Sequence, residues 1–174
     1  HAGEIIHRPT ILKPRSGAGC ERTFIVYDEE QAAEVGVDGQ TIMQTLSRGR
    51  PVSASYLVRG GRPTPLLAGR QFVHGERCFT YHGGRIPLPD TLARRAVALG
   101  AKAIETIDGL AGYVGVDMVL GDDPTADTVI EINPRLTMSY LGLRELSEGN
   151  LAAAMLDDTV DPRFRDGQVR FDET

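Results

Sequence analysis

Seven residues in the last third of the chain, Val129–Arg135 ("VIEINPR"), set an acid, an amide and a guanidinium at alternate positions: Glu131, Asn133 and Arg135. In a β-strand, alternate residues share one face. The three polar groups therefore line one side, and Ile130 and Ile132 line the other. Upstream, "GVDMVL" (115–120) carries a single acid, Asp117. If the two stretches form a hairpin turning near Pro124, Asp117 lies opposite Glu131. Val116, Met118 and Leu120 then join the isoleucines on the apolar face. Facing carboxylates repel and destabilise a sheet, so a cation must compensate them. Asp, Glu and Asn supply hard oxygen donors of the kind Mg²⁺ takes. Mg²⁺ keeps waters and completes its shell with substrate phosphates, so the cluster points to a nucleotide. The plainer alternative is an exposed polar face with a surface salt bridge between Arg135 and Glu131.

A second candidate is "ILKPRSGAGC" (11–20), with Lys13 at the end of an apolar run before Gly17-Ala18-Gly19. Glycines let backbone N–H groups approach a phosphate, and a lysine adds a point charge. The lysine precedes the glycines, so this is not the GxxxxGK[ST] loop. Alone, the glycine stretch reads equally as a hairpin turn. In "TIMQTL" (41–46), Met43 and Leu46 flank Gln44 and could form a slot for a flat base.

These groups need a scaffold. Strands are expected at 10–13, 23–27, 41–46, 52–59, 65–74, 77–82, 113–121 and 127–134. A short helix is expected at 29–35. The one long helix should start with Asp90 as N-cap and run to about Thr106, burying Leu92, Ala96, Leu99, Ala103 and Ile107. Gly100 is a weak point in that helix. One or two short helices follow in 139–157. The order of strands, helix, strands predicts an α+β fold with mainly antiparallel pairing.

The totals are those of a soluble globular chain: 174 residues, 41% hydrophobic and 25% charged. A net charge of −5 gives no bulk attraction to nucleic acid or to an anionic membrane. No run approaches the ~20 apolar residues of a membrane span. Two cysteines form neither a disulfide framework nor a metal pattern, which favours a reducing, cytoplasmic setting. The functional motif begins so early that the chain reads as a piece of a longer protein.

Together the three motifs resemble the ATP-grasp superfamily, whose members join a carboxylate to an amine through an acyl-phosphate. "FTYHGGRIPLP" and "INPRLTMSYLGL" resemble more narrowly its tyramine–glutamate ligase branch, which implies cofactor biosynthesis. The resemblance implies two lobes with ATP between them. Residues 1–87 would form a small β-rich lobe and 88–160 a larger lobe with the long helix and metal hairpin, before a polar tail at 161–174. A further N-terminal lobe would be absent. The resemblance assigns Lys13, Gly17, Ala18 and Gly19 to the ATP phosphates. It assigns Gln44 to the adenine edge, with Met43, Thr45 and Leu46 in the hinge. Asp117, Glu131 and Asn133 become ligands to Mg²⁺, two ions in number, with Mn²⁺ as a substitute. Arg135 would steady the transferred phosphate, and Thr137 and Ser139 would face the substrate. The implied partners are small carboxylate and amine substrates, with no nucleic acid and no membrane, and a homodimer is admitted. A nucleotide-binding module without ligase activity is the alternative, and a plain β-rich interaction domain a third.

Overall fold

The computed structural model describes residues 6 and 8–172. The chain forms two compact units. One holds the described residues up to Ser47 together with Val73–His82, and the other holds Arg48–Phe72 with the described residues from Gly83 on.

In the first unit, β1 (Thr10–Pro14) lies between β2 (Phe24–Val26) and β3 (Thr41–Thr45), antiparallel to both. Helix α1 (Glu29–Val35) starts at Asp28, whose side chain accepts from the Gln31 N–H at 2.9 Å, the usual N-cap arrangement. Ala32 of α1 packs with Leu12 and Val26, and Met43 covers the same cluster. Residues 73–82 join this unit through backbone bonds from Ile25 N to Arg77 O and from Phe79 N to Thr23 O.

The second unit is built on β4 (Arg50–Arg59), β5 (Arg62–His74) up to Phe72, β6 (Thr80–Ile86) from Gly83 on, β7 (Gly112–Leu120), β8 (Thr128–Asn133) and β9 (Val169–Phe171). Their order across the sheet is β8-β7-β4-β5-β6-β9. Period-2 alternation sorts the two faces. Val52, Ala54, Tyr56 and Val58 of β4 and Val114, Val116, Met118 and Leu120 of β7 pack against α2 (Asp90–Ile104). The other face begins with Leu57 and Tyr113, covered by α3 (Ser139–Leu146) and α4 (Leu151–Leu156). Among the described residues no helix is long and apolar enough to cross a membrane.

Three features depart from the expectations. The division is not a single cut at 87, because β4 pairs with β7 from Arg50↔Leu120 to Val58↔Gly112 and so carries residues 48–72 into the second unit. Of the expected polar tail, the described residues 161–172 include a strand. Val169–Phe171 pairs with β6, and Phe171 is buried against Leu143 and Ile86, with Phe164 and Val169 packed against the same cluster. Pro89, not Asp90, occupies the cap of α2, and Ile107 lies exposed beyond the helix.

The buried line of α2 is Ala96, Gly100 and Ile104. Gly100 is a packing requirement rather than a flaw. The Tyr56 hydroxyl donates to the Val97 carbonyl at 2.8 Å, and a Cβ at position 100 would collide with that hydroxyl. Alanine ordinarily stabilises a helix by about 1 kcal/mol over glycine. Here Gly100→Ala is expected to destabilise by about 1–3 kcal/mol through overpacking, and adding Tyr56→Phe should recover part of the loss. Urea denaturation of the single and double variants checks this; a stabilised single variant would refute it.

Candidate functional site

The expected hairpin register is the observed one. Gly115, Val116 and Asp117 of β7 stand opposite Asn133, Ile132 and Glu131 of β8. A bulge follows, so that Met118 pairs with Val129 and Ile130 is the extra residue. Bulges re-aim side chains and tighten the twist of a strand. The turn is fastened to α2. Arg95 grips Asp127 through Nε at 3.0 Å and Nη2 at 2.5 Å, and Nη2 also donates to the Gly121 carbonyl at 2.8 Å. The Asp127 hydrogen bond, ahead of its charge, pushes the Arg95 guanidinium pKa further up.

Two polar rows cross the sheet on the face that α3 and α4 partly cover. Ser53, Asp117 and Glu131 form one, on β4, β7 and β8, and Ser55, Gly115 and Asn133 form the next. Asp117 is half-buried, Glu131 is exposed and Asn133 is buried. Asn133 Nδ2 donates to Asp117 Oδ2 at 3.0 Å, and Gln71 Nε2 donates to Asp117 Oδ1 at 2.8 Å. Neutral amides on two sides thus soften the repulsion that seemed to demand a cation. Gln71 could not be anticipated, because β5 is remote in sequence and its polar residue carries no motif.

The salt-bridge alternative is not formed. Arg135 Nη1 lies 3.5 Å from the Leu136 carbonyl, and Arg135 pairs with no acid among the described residues. The donor set suits a hard divalent cation: two carboxylates on facing strands with an amide beside them. Among the described residues no three His, Cys, Asp or Glu side chains gather for a metal, so any ion here would rest on this Asp, Glu and Asn set.

Thr137 and Ser139, expected to face a substrate, are tied to the sheet. The Ser139 and Ser53 hydroxyls are 2.8 Å apart, and both are buried. Thr137 Oγ1 lies 3.1 Å from the Tyr113 hydroxyl, which lies 2.8 Å from Ser55 Oγ. Burial first of all raises the Tyr113 pKa, against the lowering effect of the Ser55 and Thr137 hydrogen bonds; the phenol stays protonated and can donate. Gly115 leaves room, but the Thr137 side chain fills it: a Cβ on Gly115 would come within 2.5 Å of Thr137 Cγ2. These contacts anchor the segment that carries Arg135. Sequence could not show this, since the partners lie on β4 and β7.

In the first unit, strand pairing sets Lys13 opposite Ile42 and Ile11 opposite Gln44. Lys13 and Gln44 therefore share the face turned away from α1. Met43, expected to flank a base, is opposite Leu12 and packs into the α1 core instead. Thr45 is exposed, and the Leu46 N–H bonds to Pro9 O at 3.0 Å. Gly17, Ala18 and Gly19 lie in an exposed loop, with Gly19, Cys20 and Arg22 at positive φ.

The model of the ATP-grasp domain family matches residues 3–139. The chain belongs to the ATP-grasp family. Among curated proteins it is 30% identical over 158 residues to tyramine–L-glutamate ligase of Methanocaldococcus fervens, covering 88% of this chain and 48% of that one. The Methanocaldococcus jannaschii protein of the same name is 30% identical over 125 residues, covering 72% of this chain and 35% of that one. The chain thus spans half or less of the curated relatives it matches. A solved L-amino acid ligase from Bacillus licheniformis shares the fold, with a TM-score of 0.67 at 19% identity over 92% of this chain and 43% of that one.

Tyr113→Phe removes the hydroxyl that joins Ser55 to Thr137. It is expected to lower stability by about 1–2 kcal/mol, since the buried Ser55 hydroxyl and the half-buried Thr137 hydroxyl lose a partner. Urea denaturation measures the loss, and an unchanged midpoint would show that the anchor is dispensable.

Proposed function

We propose that the protein containing this chain is an ATP- and Mg²⁺-dependent ligase joining a carboxylate to an amine through an acyl-phosphate. The observation that carries the reading is the row of Asp117 facing Glu131 with Asn133 beside them, on a hairpin clamped by Arg95. Membership of the ATP-grasp family and the similarity to tyramine–L-glutamate ligases support it.

In this reading Asp117, Glu131 and Asn133 hold Mg²⁺, which when bound neutralises phosphate charge. Lys13 and the loop at Gly17, Ala18 and Gly19 bind the ATP phosphates, and Gln44 meets the adenine edge. The substrate carboxylate attacks the γ-phosphorus, and the bond to ADP breaks. Arg135 steadies the phosphoryl group in flight and the acyl-phosphate that results. The amine then forms the C–N bond as the C–O bond to phosphate breaks. Little covalent chemistry falls to the protein, so positioning and charge carry the catalysis. Ser139 and Thr137 contribute by holding the Arg135 segment to the sheet.

Thermal unfolding with Mg·ATP tests the nucleotide site. At about 100 times the dissociation constant, a ligand stabilises by about 2.7 kcal/mol. The wild type should shift upward and Glu131→Gln should not; no shift in the wild type defeats the proposal. ADP release that requires both a carboxylate and an amine then separates a ligase from a nucleotide-binding module.

A further inference from the structure

We infer that Gln71 is a positioning residue of the divalent-cation site, acting through Asp117. The inference rests on the reading of Asp117, Glu131 and Asn133 as ligands and adds a residue that neither motif nor sequence spacing marks. Gln71 belongs to β5, whereas Asp117 belongs to β7, and β4 runs between them. Neighbouring strands lie about 4.8 Å apart, so the glutamine reaches across a whole strand. The residue beside Asp117 on β4 is the small Ser53, buried and bonded to Ser139. A large side chain there would stand in the way of the glutamine.

The result is a carboxylate held at both ends. Oδ1 takes the Gln71 amide at 2.8 Å and Oδ2 takes the Asn133 amide at 3.0 Å. Each carboxylate oxygen can accept more than one hydrogen bond or cation, so these donors fix the rotamer while leaving acceptor capacity. Because both donors are neutral, they orient the group without cancelling its charge. A lysine or arginine in the place of Gln71 would cancel it. Ordering a long glutamine costs rotamer freedom, and the return is the orientation of one carboxylate. Residues that orient metal ligands in this way commonly set affinity by 10–100-fold.

Mn²⁺ binding to the chain without nucleotide tests the inference, followed by electron paramagnetic resonance of the free ion, with circular dichroism to establish the folded fraction. The wild type should bind, and Glu131→Gln should lose binding. Gln71→Leu is expected to weaken binding per folded molecule by about 10-fold or more. Gln71→Asn serves if the leucine variant does not fold: it keeps an amide, one methylene too short for the 2.8 Å contact, and should weaken binding in the same direction. Loss of thermal stability with unchanged Mn²⁺ affinity would mean that Gln71 is only structural, and would overturn the inference while leaving the cation site standing. Absence of Mn²⁺ binding by the wild type would overturn the inference and the proposed site together.

Discussion

Two carboxylates face each other across neighbouring antiparallel strands, and most of the second unit follows from keeping them there. The register that opposes Asp117 and Glu131 also turns Val116 and Ile132 to the α2 side. A slip of β8 by one residue would exchange that strand's faces and turn Glu131 toward the apolar α2 side. The hydrophobic contact with α2 therefore holds the charged pair in place, and the Arg95–Asp127 clamp fixes the end of the hairpin to the same helix.

Along the opposite face the sheet changes character. Leu57 and Tyr113 form an apolar end under α3 and α4; the Ser55–Gly115–Asn133 row follows, and then the Ser53–Asp117–Glu131 row. The hydroxyls between the apolar end and the acids are used in pairs: Ser53 with Ser139, and Ser55 with Tyr113 and Thr137. Polar groups buried in this way need partners, and these partners hold the entry to α3 against the sheet. The segment after Asn133 thus has its course set by three hydroxyl-bearing side chains of the sheet, Ser53, Ser55 and Tyr113, while Arg135 stays exposed.

What could be read from the sequence was periodic and local. The β7–β8 register was legible because apolar and polar residues alternate cleanly on both sides of one turn. The bulge at Ile130 was not, because an inserted residue leaves the composition of the strand unchanged. The helix expected at 29–35 is the observed α1, and the structure shows Asp28 and Gly36 as its caps. Long-range pairs were out of reach: Gln71 with Asp117, Ser53 with Ser139, and Tyr56 against Gly100 join residues tens of positions apart. The same holds for Phe171, whose burial depends on a groove made by other elements. Met43 had an apolar side chain that could serve a ligand slot or a core, and pairing with Leu12 decided for the core.

The close contact between Gly115 and Thr137 has a consequence for sequence variation. The absent side chain at one position is the space occupied by the side chain at the other. Neither residue is then free to drift alone. An ancestor or descendant with a larger residue at 115 would need a smaller one at 137, so the two positions should change together across related chains, though 22 residues of sequence separate them.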